Sequence, residues 1–238
     1  MMIVFIHDDE MHHLKMGFAR IGSIDSCKIE DIVQPGFDKK AMLRLYTQDE
    51  VYFVSDFTRF SFWKWTSAWD PYKSPDIVTH HNEWREHLRK NKDRKNFKKP
   101  IFEIMMDQTY FNGIGNFTRT EILARTRFSP FTTLYDVLDS PIMRDDFFRV
   151  AKETLQDIHR YGGMQFEHWR NPFGVTKEKF NLWIRCYRKF GKAYYMRDSK
   201  TRYFWFMKKW SKEYAFFAER ADILDKRLLQ KIYRQKET

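Results

Sequence analysis

Between Asn112 and Asn116 the chain reads Asn-Gly-Ile-Gly-Asn, two glycines one residue apart, directly ahead of a run with helical periodicity. A glycine turn of this kind presents backbone amides at a helix start, and the chemistry open to it is the holding of an anionic oxygen such as a phosphate. Taken alone, the pattern is weak and a plain helical hairpin is the better reading. The rest of the composition favours a polyanionic partner: 43 Lys and Arg stand against 32 Asp and Glu, a formal net charge of +11 over 238 residues. Eight of these cations fall between Asn82 and Lys99 against three acids, a run that also describes an ordinary solvated face.

Other candidate chemistry is excluded by spacing. His12-His13 and His80-His81 suggest a metal, but adjacent histidines on a strand point to opposite faces and no third ligand is evident, so neither a metal nor a cofactor is assigned. Two cysteines, Cys27 and Cys186, supply neither a disulfide framework nor a four-cysteine zinc site and fit a reducing compartment. No stretch approaches the ~20 apolar residues of a membrane span, and the opening Met1–Ile6 is cut off by His7-Asp8-Asp9-Glu10. Secretion and membrane insertion are therefore not expected. Aromatic residues make up 18% of the chain and hydrophobic residues 42%, enough for a packed core rather than a disordered basic tail.

These residues must be positioned by two kinds of element. Val4 to Ile6, Met16 to Ile24, Ala41 to Thr47 and Glu50 to Ser55 read as strands, with Tyr46 to Val51 as a hairpin connection. The prolines of Trp69 to Pro75 break that pattern and open a linker. Beyond Pro100, Ile101 to Gln108 and Phe117 to Arg127 predict two helices around the glycine turn. Phe147, Ala151, Leu155 and Ile158 predict a longer helix ended by Gly162-Gly163, and Val175 to Tyr187 a further one. Lys192 to Phe206 predicts a β-hairpin about Asp198-Ser199-Lys200. Tyr214, Phe217, Ala221, Leu224, Leu228 and Ile232 form one stripe of a terminal amphipathic helix.

The stretch from Pro100 through Asn112-Gly113-Ile114-Gly115-Asn116 to Arg119, Glu121-Ile122-Leu123 and Ser129-Pro130-Phe131 closely resembles the helix–two-turns–helix core of the formamidopyrimidine-DNA glycosylase and endonuclease VIII family. The endonuclease VIII-like branch is the nearer, because Trp183 to Tyr187 leads into a hairpin holding Arg202 to Phe206 without zinc cysteines. That hairpin resembles the family's zincless finger. Upstream, His13-Leu14-Lys15-Met16-Gly17 is similar to the strand whose methionine fills the gap left by an everted nucleotide. Asp56-Phe57-Thr58-Arg59-Phe60 is similar to the family's Asp-x-Arg-Arg-Phe loop, with Thr58 where the first arginine usually stands. The resemblance spans roughly Leu14 to Lys208.

The resemblance implies roles. Asn116 and Arg202 would form a phosphate clamp, one using a helix terminus and amide, the other a guanidinium at a hairpin tip, with Gly113, Gly115 and Arg59 as further DNA contacts. Met16 and Phe60 would fill the void in the duplex. Lys189 lies in a loop resembling the one that closes over the everted base, with a solvated loop lysine as the alternative. The family's nucleophile is the amine of an amino-terminal proline followed by glutamate, aided by a lysine; none can be placed here, so no residue is assigned a catalytic role, and roughly the first third of the sandwich is expected to be missing.

The expected architecture is α+β: a truncated antiparallel β-sandwich (1–70), a basic linker and helix (71–99), a helix–two-turns–helix domain (100–175), a helix and zincless finger (176–210) and a C-terminal helix (211–238). The resemblance implies a base-excision-repair glycosylase and AP lyase acting as a monomer on double-stranded DNA with an oxidised base or abasic site, inside the cell and in the nucleus of a eukaryote. The rival is a non-catalytic damaged-DNA binder derived from such an enzyme. A helix-turn-helix transcription factor is disfavoured, because the glycine turn continues into the finger rather than a lone recognition helix.

Overall fold

A computed structural model describes residues 2–7, 10–17, 22–30, 41–56, 62–66, 72–161, 175–220 and 228. The chain divides into two compact units, Met1–Pro71 and Tyr72–Thr238, and mixes small antiparallel sheets with helices.

The first unit is built from β1 (Met2–His7), β2 (Glu10–Gly17), β3 (Gly22–Lys28), β4 (Ala41–Tyr46), β5 (Glu50–Asp56) and β6 (Phe62–Thr66). They form two antiparallel sheets of three strands, ordered β1-β2-β6 and β3-β5-β4. Alternation decides which faces meet: Leu14 of β2 and Val54 of β5 are both buried and share one cluster with Leu43 and Leu45 of β4. The β4–β5 hairpin turns where expected. Tyr46 pairs with Val51, and Thr47 closes the loop, its N–H donating to the Glu50 carbonyl at 2.9 Å and its Oγ1 accepting from the Glu50 N–H at 3.0 Å.

The single strand expected over Met16 to Ile24 is instead two. β2 ends at Gly17 and pairs with β6, whereas β3 starts at Gly22 and pairs with β5 in the other sheet. The two glycines mark the exits, since a residue without a side chain adds nothing to a strand's packed face. β6 lies outside the strands expected from sequence; Trp63-Lys64-Trp65-Thr66 alternates apolar and polar residues over only four positions, and both tryptophans are exposed rather than buried.

The second unit begins with α1 (His81–Lys90), inside the basic run. Arg89 and Lys90 are exposed and Arg85 lies over the Phe148 ring at 5.1 Å, while Trp84 and Leu88, four residues apart, are wholly buried. The Trp84 indole N–H donates to the Tyr110 carbonyl at 2.9 Å, satisfying a polar group that burial would otherwise leave orphaned. A 3-10 turn at Lys95–Lys98 buries Phe97. Then follow α2 (Ile101–Ile104), α3 (Asn116–Arg125), α4 (Leu134–Asp139) and α5 (Pro141–Tyr161). The helix expected to reach Gln108 ends at Ile104, because Asp107 turns the chain: its carbonyl accepts from Tyr110 and Phe111 at 3.1 and 2.9 Å and its carboxylate from the Thr109 N–H at 3.0 Å. In α5, Phe147 and Ala151 are buried at the expected spacing; Gly162 and Gly163 lie outside the described residues.

α6 (Lys177–Trp183) is capped by the Thr176 hydroxyl, which accepts from the Lys179 N–H at 3.3 Å. It stops four residues before the expected Tyr187 for a reason given below. β7 (Ala193–Arg197) and β8 (Tyr203–Met207) pair in register, Tyr195 opposite Trp205. One hairpin face sends Tyr194, Met196, Phe204 and Phe206 into the core, where Phe204 stacks on Phe102 of α2 at 4.6 Å. After a 3-10 turn (Lys208–Trp210), α7 (Ser211–Arg220) buries Tyr214. Leu228 of the same stripe is also buried, while Ala221, Leu224 and Ile232 lie outside the described residues.

Candidate nucleic-acid interface

The turn between α2 and α3 is held from both sides by one side chain. Gln108 accepts from the Gly113 N–H through Oε1 and donates to the Ile114 carbonyl through Nε2, each at 2.9 Å. Gly113 sits at φ +83°, a conformation that costs a residue with a Cβ about 1–2 kcal/mol. Ile114 is buried between the two glycines and anchors the loop. Gly115 is the residue before the first turn of α3, and no side chain caps that terminus. A Cβ placed on Gly113 or Gly115 would meet nothing within 4 Å. The chain just ahead of α3 is therefore open at both glycines, and the dipole of an uncapped helix start makes such a space favourable to an anion.

Asn116, the first residue of α3, ties this terminus to the hairpin. Its Nδ2 donates to the Tyr203 carbonyl at 2.6 Å. Its Oδ1 accepts from Nε and Nη2 of Arg119, one turn further on, at 3.0 and 2.7 Å. Arg119 is fully buried: Nη1 donates to the Phe102 carbonyl at 2.8 Å, Nη2 lies 2.9 Å from Oδ2 of Asp198, and the guanidinium covers the Phe204 ring.

Asp198 thus closes the hairpin tip from beneath. Its Oδ1 accepts from the backbone N–H groups of Lys200 and Arg202 at 3.0 and 2.9 Å, and its Oδ2 accepts from Arg202 Nε at 2.8 Å. Thr201 takes φ +61° in this turn, a strained conformation for a β-branched residue, held by its N–H bond to the Asp198 carbonyl at 2.8 Å. A second anchor comes from α2, where Glu103 accepts from the Ser199 N–H and hydroxyl at 2.9 and 2.6 Å. Burial pushes the Asp198 carboxyl up, but the Arg202 backbone bond and the charges of Arg119 and Arg202 outweigh it and hold the group below the usual carboxylate range. Burial lowers Arg119 to about 10 against the opposing pull of Asp198, so the pair is fully charged at neutral pH.

Arg202 spends only its Nε on Asp198. Its side chain is 31% exposed, and among the described residues its two terminal nitrogens have no partner. They look into a polar groove shared with Lys99, Lys200, Asn96 and Gln108. A guanidinium fixed at Nε and open at its other edge is suited to a two-point bond to a phosphate.

A second buried acid organises the approach to the hairpin. Glu121 of α3 accepts from the N–H groups of Arg185, Cys186 and Tyr187 at 2.9, 3.0 and 2.8 Å and pairs with Arg125. Arg125 in turn donates to the Trp183 carbonyl at 2.7 Å and covers the Trp183 ring at 4.0 Å. This is why α6 ends at Trp183: the Ile184 N–H makes the last helical bond, to the Phe180 carbonyl, and the three amides that follow are taken by Glu121 rather than by the helix. Burial pushes the Cys186 thiol up, which makes it an inert core residue.

No family model matches this sequence. Among curated proteins, the mouse and human Endonuclease 8-like 1 proteins are 28% and 29% identical over 193 residues, covering 71% of this chain and 48% of each relative. The chain thus spans about half the length of the curated relatives it matches. Among solved structures, Lactococcus lactis Fpg in complex with DNA containing an abasic site superposes with a TM-score of 0.63 at 18% identity, covering 87% of this chain and 77% of that one. MutM bound to DNA containing carbocyclic 8-oxo-G gives 0.62 at 18% identity, over 87% and 76%. These similarities agree with the resemblance to the formamidopyrimidine-DNA glycosylase and endonuclease VIII family, whose fold the chain shares.

Of the residues that the family resemblance singles out, Gly113, Gly115, Asn116 and Arg202 stand at one locality of the second unit, linked by the bonds above. Lys189 is elsewhere: its Nζ donates to the Asn181 carbonyl at 2.6 Å, in a small cleft with Lys177, Phe180 and Tyr187, next to Arg188 and Gly191 at φ +57° and +85°. Met16 lies on β2 opposite Trp63. Arg59 and Phe60 lie outside the described residues. His81 Nδ1 is 3.0 Å from the Ile77 carbonyl, a local bond.

Sequence reasoning assigned no role to Arg119, Glu121 or Asp198. No local signal marks them: Thr118-Arg119-Thr120-Glu121 reads as a polar helix start, and only the structure shows residues 118–123 all buried, where charges require partners.

Proposed function

We propose that this chain recognises damaged duplex DNA, as a DNA glycosylase with AP lyase activity acting in base excision repair on oxidised bases and abasic sites. On this reading α2, the Gln108-braced turn and α3 are the family's helix–two-turns–helix motif. The β7–β8 hairpin is its zincless finger, packed by Phe204 and Phe206 where other members use a metal. Protein and DNA meet as a monomer on one duplex, in the nucleus of a eukaryotic source. The observation that carries the reading is the junction of two anion-binding devices, the uncapped start of α3 and the outer edge of Arg202, through the 2.6 Å bond from Asn116 to Tyr203. Supporting it, two structural neighbours hold DNA with an abasic site or an oxidised guanine.

A second reading, a damaged-DNA binder without excision chemistry, is favoured by one feature: Asn116, the amides at the start of α3 and Arg202 are hydrogen-bond donors suited to phosphate rather than nucleophiles.

Two measurements test these readings. Fluorescence anisotropy with 25-mer duplexes should give tighter binding to a tetrahydrofuran abasic analogue than to the undamaged duplex. Affinity should fall by at least tenfold between 50 and 200 mM salt, since six or more neutralised phosphates release at least that many counterions. Equal affinity for both duplexes would remove damage recognition. Borohydride trapping on a natural abasic site then separates the two readings: a covalent adduct supports the lyase, and its absence with damage-specific binding intact supports the binder.

A further inference from the structure

Arg202 can grip a phosphate with two nitrogens only if its guanidinium plane is set before the anion arrives. A free arginine at a hairpin tip would lose rotamer freedom on binding, and that loss subtracts from affinity. Here the plane is set from behind. Asp198 Oδ2 holds Nε at 2.8 Å, while Asp198 Oδ1 takes the backbone N–H of the same residue at 2.9 Å. Asp198 is in turn fixed from α3 by Arg119 Nη2 at 2.9 Å, and Arg119 is fixed by the Oδ1 of Asn116. The chain of contacts begins at the helix terminus that faces the anion and ends at the guanidinium that faces the same locality.

We propose that Asp198 is a positioning residue for DNA binding, a buried carboxylate shared by Arg119 and Arg202 that aims the terminal nitrogens of Arg202 and locks the hairpin tip to the start of α3. The inference rests on the reading of this locality as a phosphate clamp. A carboxylate is required because one oxygen must accept from two guanidinium groups while the other accepts from two backbone amides; a neutral amide in its place turns one of these acceptors into a donor. An arginine is required at 202 because a lysine has a single nitrogen, which Asp198 would occupy.

The test is a double-mutant cycle read by anisotropy on the abasic-analogue duplex over a salt series. Arg202→Ala is expected to weaken binding about tenfold and to lower the slope of log K against log salt by about one, as for one lost phosphate contact. Asp198→Asn should reproduce both effects, and the double variant should bind no more weakly than Arg202→Ala, because the two residues act through one contact. An Asp198→Asn protein that binds like wild type, or losses that add in the double variant, would overturn the proposal. Should Asp198→Asn fail to fold, Arg202→Lys at this partly exposed position decides the matter: affinity close to that of Arg202→Ala sustains the positioning role, and wild-type affinity shows that charge alone suffices. If Arg202→Ala itself binds like wild type, the clamp reading fails and the positioning role falls with it, whereas a weakened Arg202→Ala beside a wild-type-like Asp198→Asn overturns the positioning role alone.

Discussion

Arg119 Nη2 and Asp198 Oδ2 face one another at 2.9 Å with neither side chain exposed to solvent, across 79 positions of sequence (198 minus 119). The pair joins a helix to a two-stranded hairpin, an element that is marginal by itself in water. Removing one partner of a buried pair leaves an uncompensated charge and costs about 3–5 kcal/mol. Arg119→Ala should therefore lower the unfolding free energy of the second unit, read from urea denaturation, by that order. A loss below about 1 kcal/mol, the range of exposed pairs, would mean that the pair is hydrated in solution.

Glu121 carries a comparable load for the segment before β7. In Glu121→Gln one of the two acceptor oxygens becomes an NH2 group facing backbone donors, so at least one of the three amides loses its partner at about 1–3 kcal/mol. Native-state hydrogen exchange should quicken first at Arg185, Cys186 and Tyr187, ahead of the β7–β8 ladder. Uniform acceleration across α3 and α5 instead would assign Glu121 a global role.

How much of this was legible in the sequence depends on where each determinant sits. The β4–β5 hairpin and α5 were readable because their signals are local: alternation about Tyr46 to Val51, and Phe147 and Ala151 at helical spacing. The end of α6 was not, since it is imposed by Glu121, 64 to 66 residues earlier. The split of β2 from β3 was hidden because both flanks of the Gly17–Gly22 interval are good strands and only their partners differ. At the interface, the glycines and Asn116 could be found from a motif, whereas Asp198 reads in sequence as one more turn residue.

Acidification should act on the hairpin through Asp198. The folded group titrates below its ordinary value of 3.8, so the unfolded chain takes up the proton first and its stability contribution, complete above about pH 5, falls as pH drops through the folded value. Loss of tertiary signal from the hairpin, followed through Trp205 fluorescence, should begin below about pH 4 in wild type and be absent from the titration of Asp198→Asn. A hairpin that became more stable on acidification would reverse the assigned sign.

The two glycines of the turn should separate fold from binding. Gly113 needs φ +83°, so Gly113→Ala should destabilise by about 1–2 kcal/mol even though the new methyl meets no neighbour. Gly115 has φ −107° and ψ −179°, an extended backbone open to any residue, and space around its Cβ position; Gly115→Ala should shift stability by less than about 1 kcal/mol, the modest cost of alanine before a helix. Yet that methyl would stand beside the uncapped first-turn amides of α3, where a phosphate must approach the backbone closely. Gly115→Ala should therefore bind the abasic-analogue duplex about three- to tenfold more weakly at unchanged unfolding midpoint, close to the loss of one modest hydrogen bond of about 0.5–1.5 kcal/mol. Undiminished binding by this variant would move the anion away from the helix terminus and leave Arg202 as the contact at this locality.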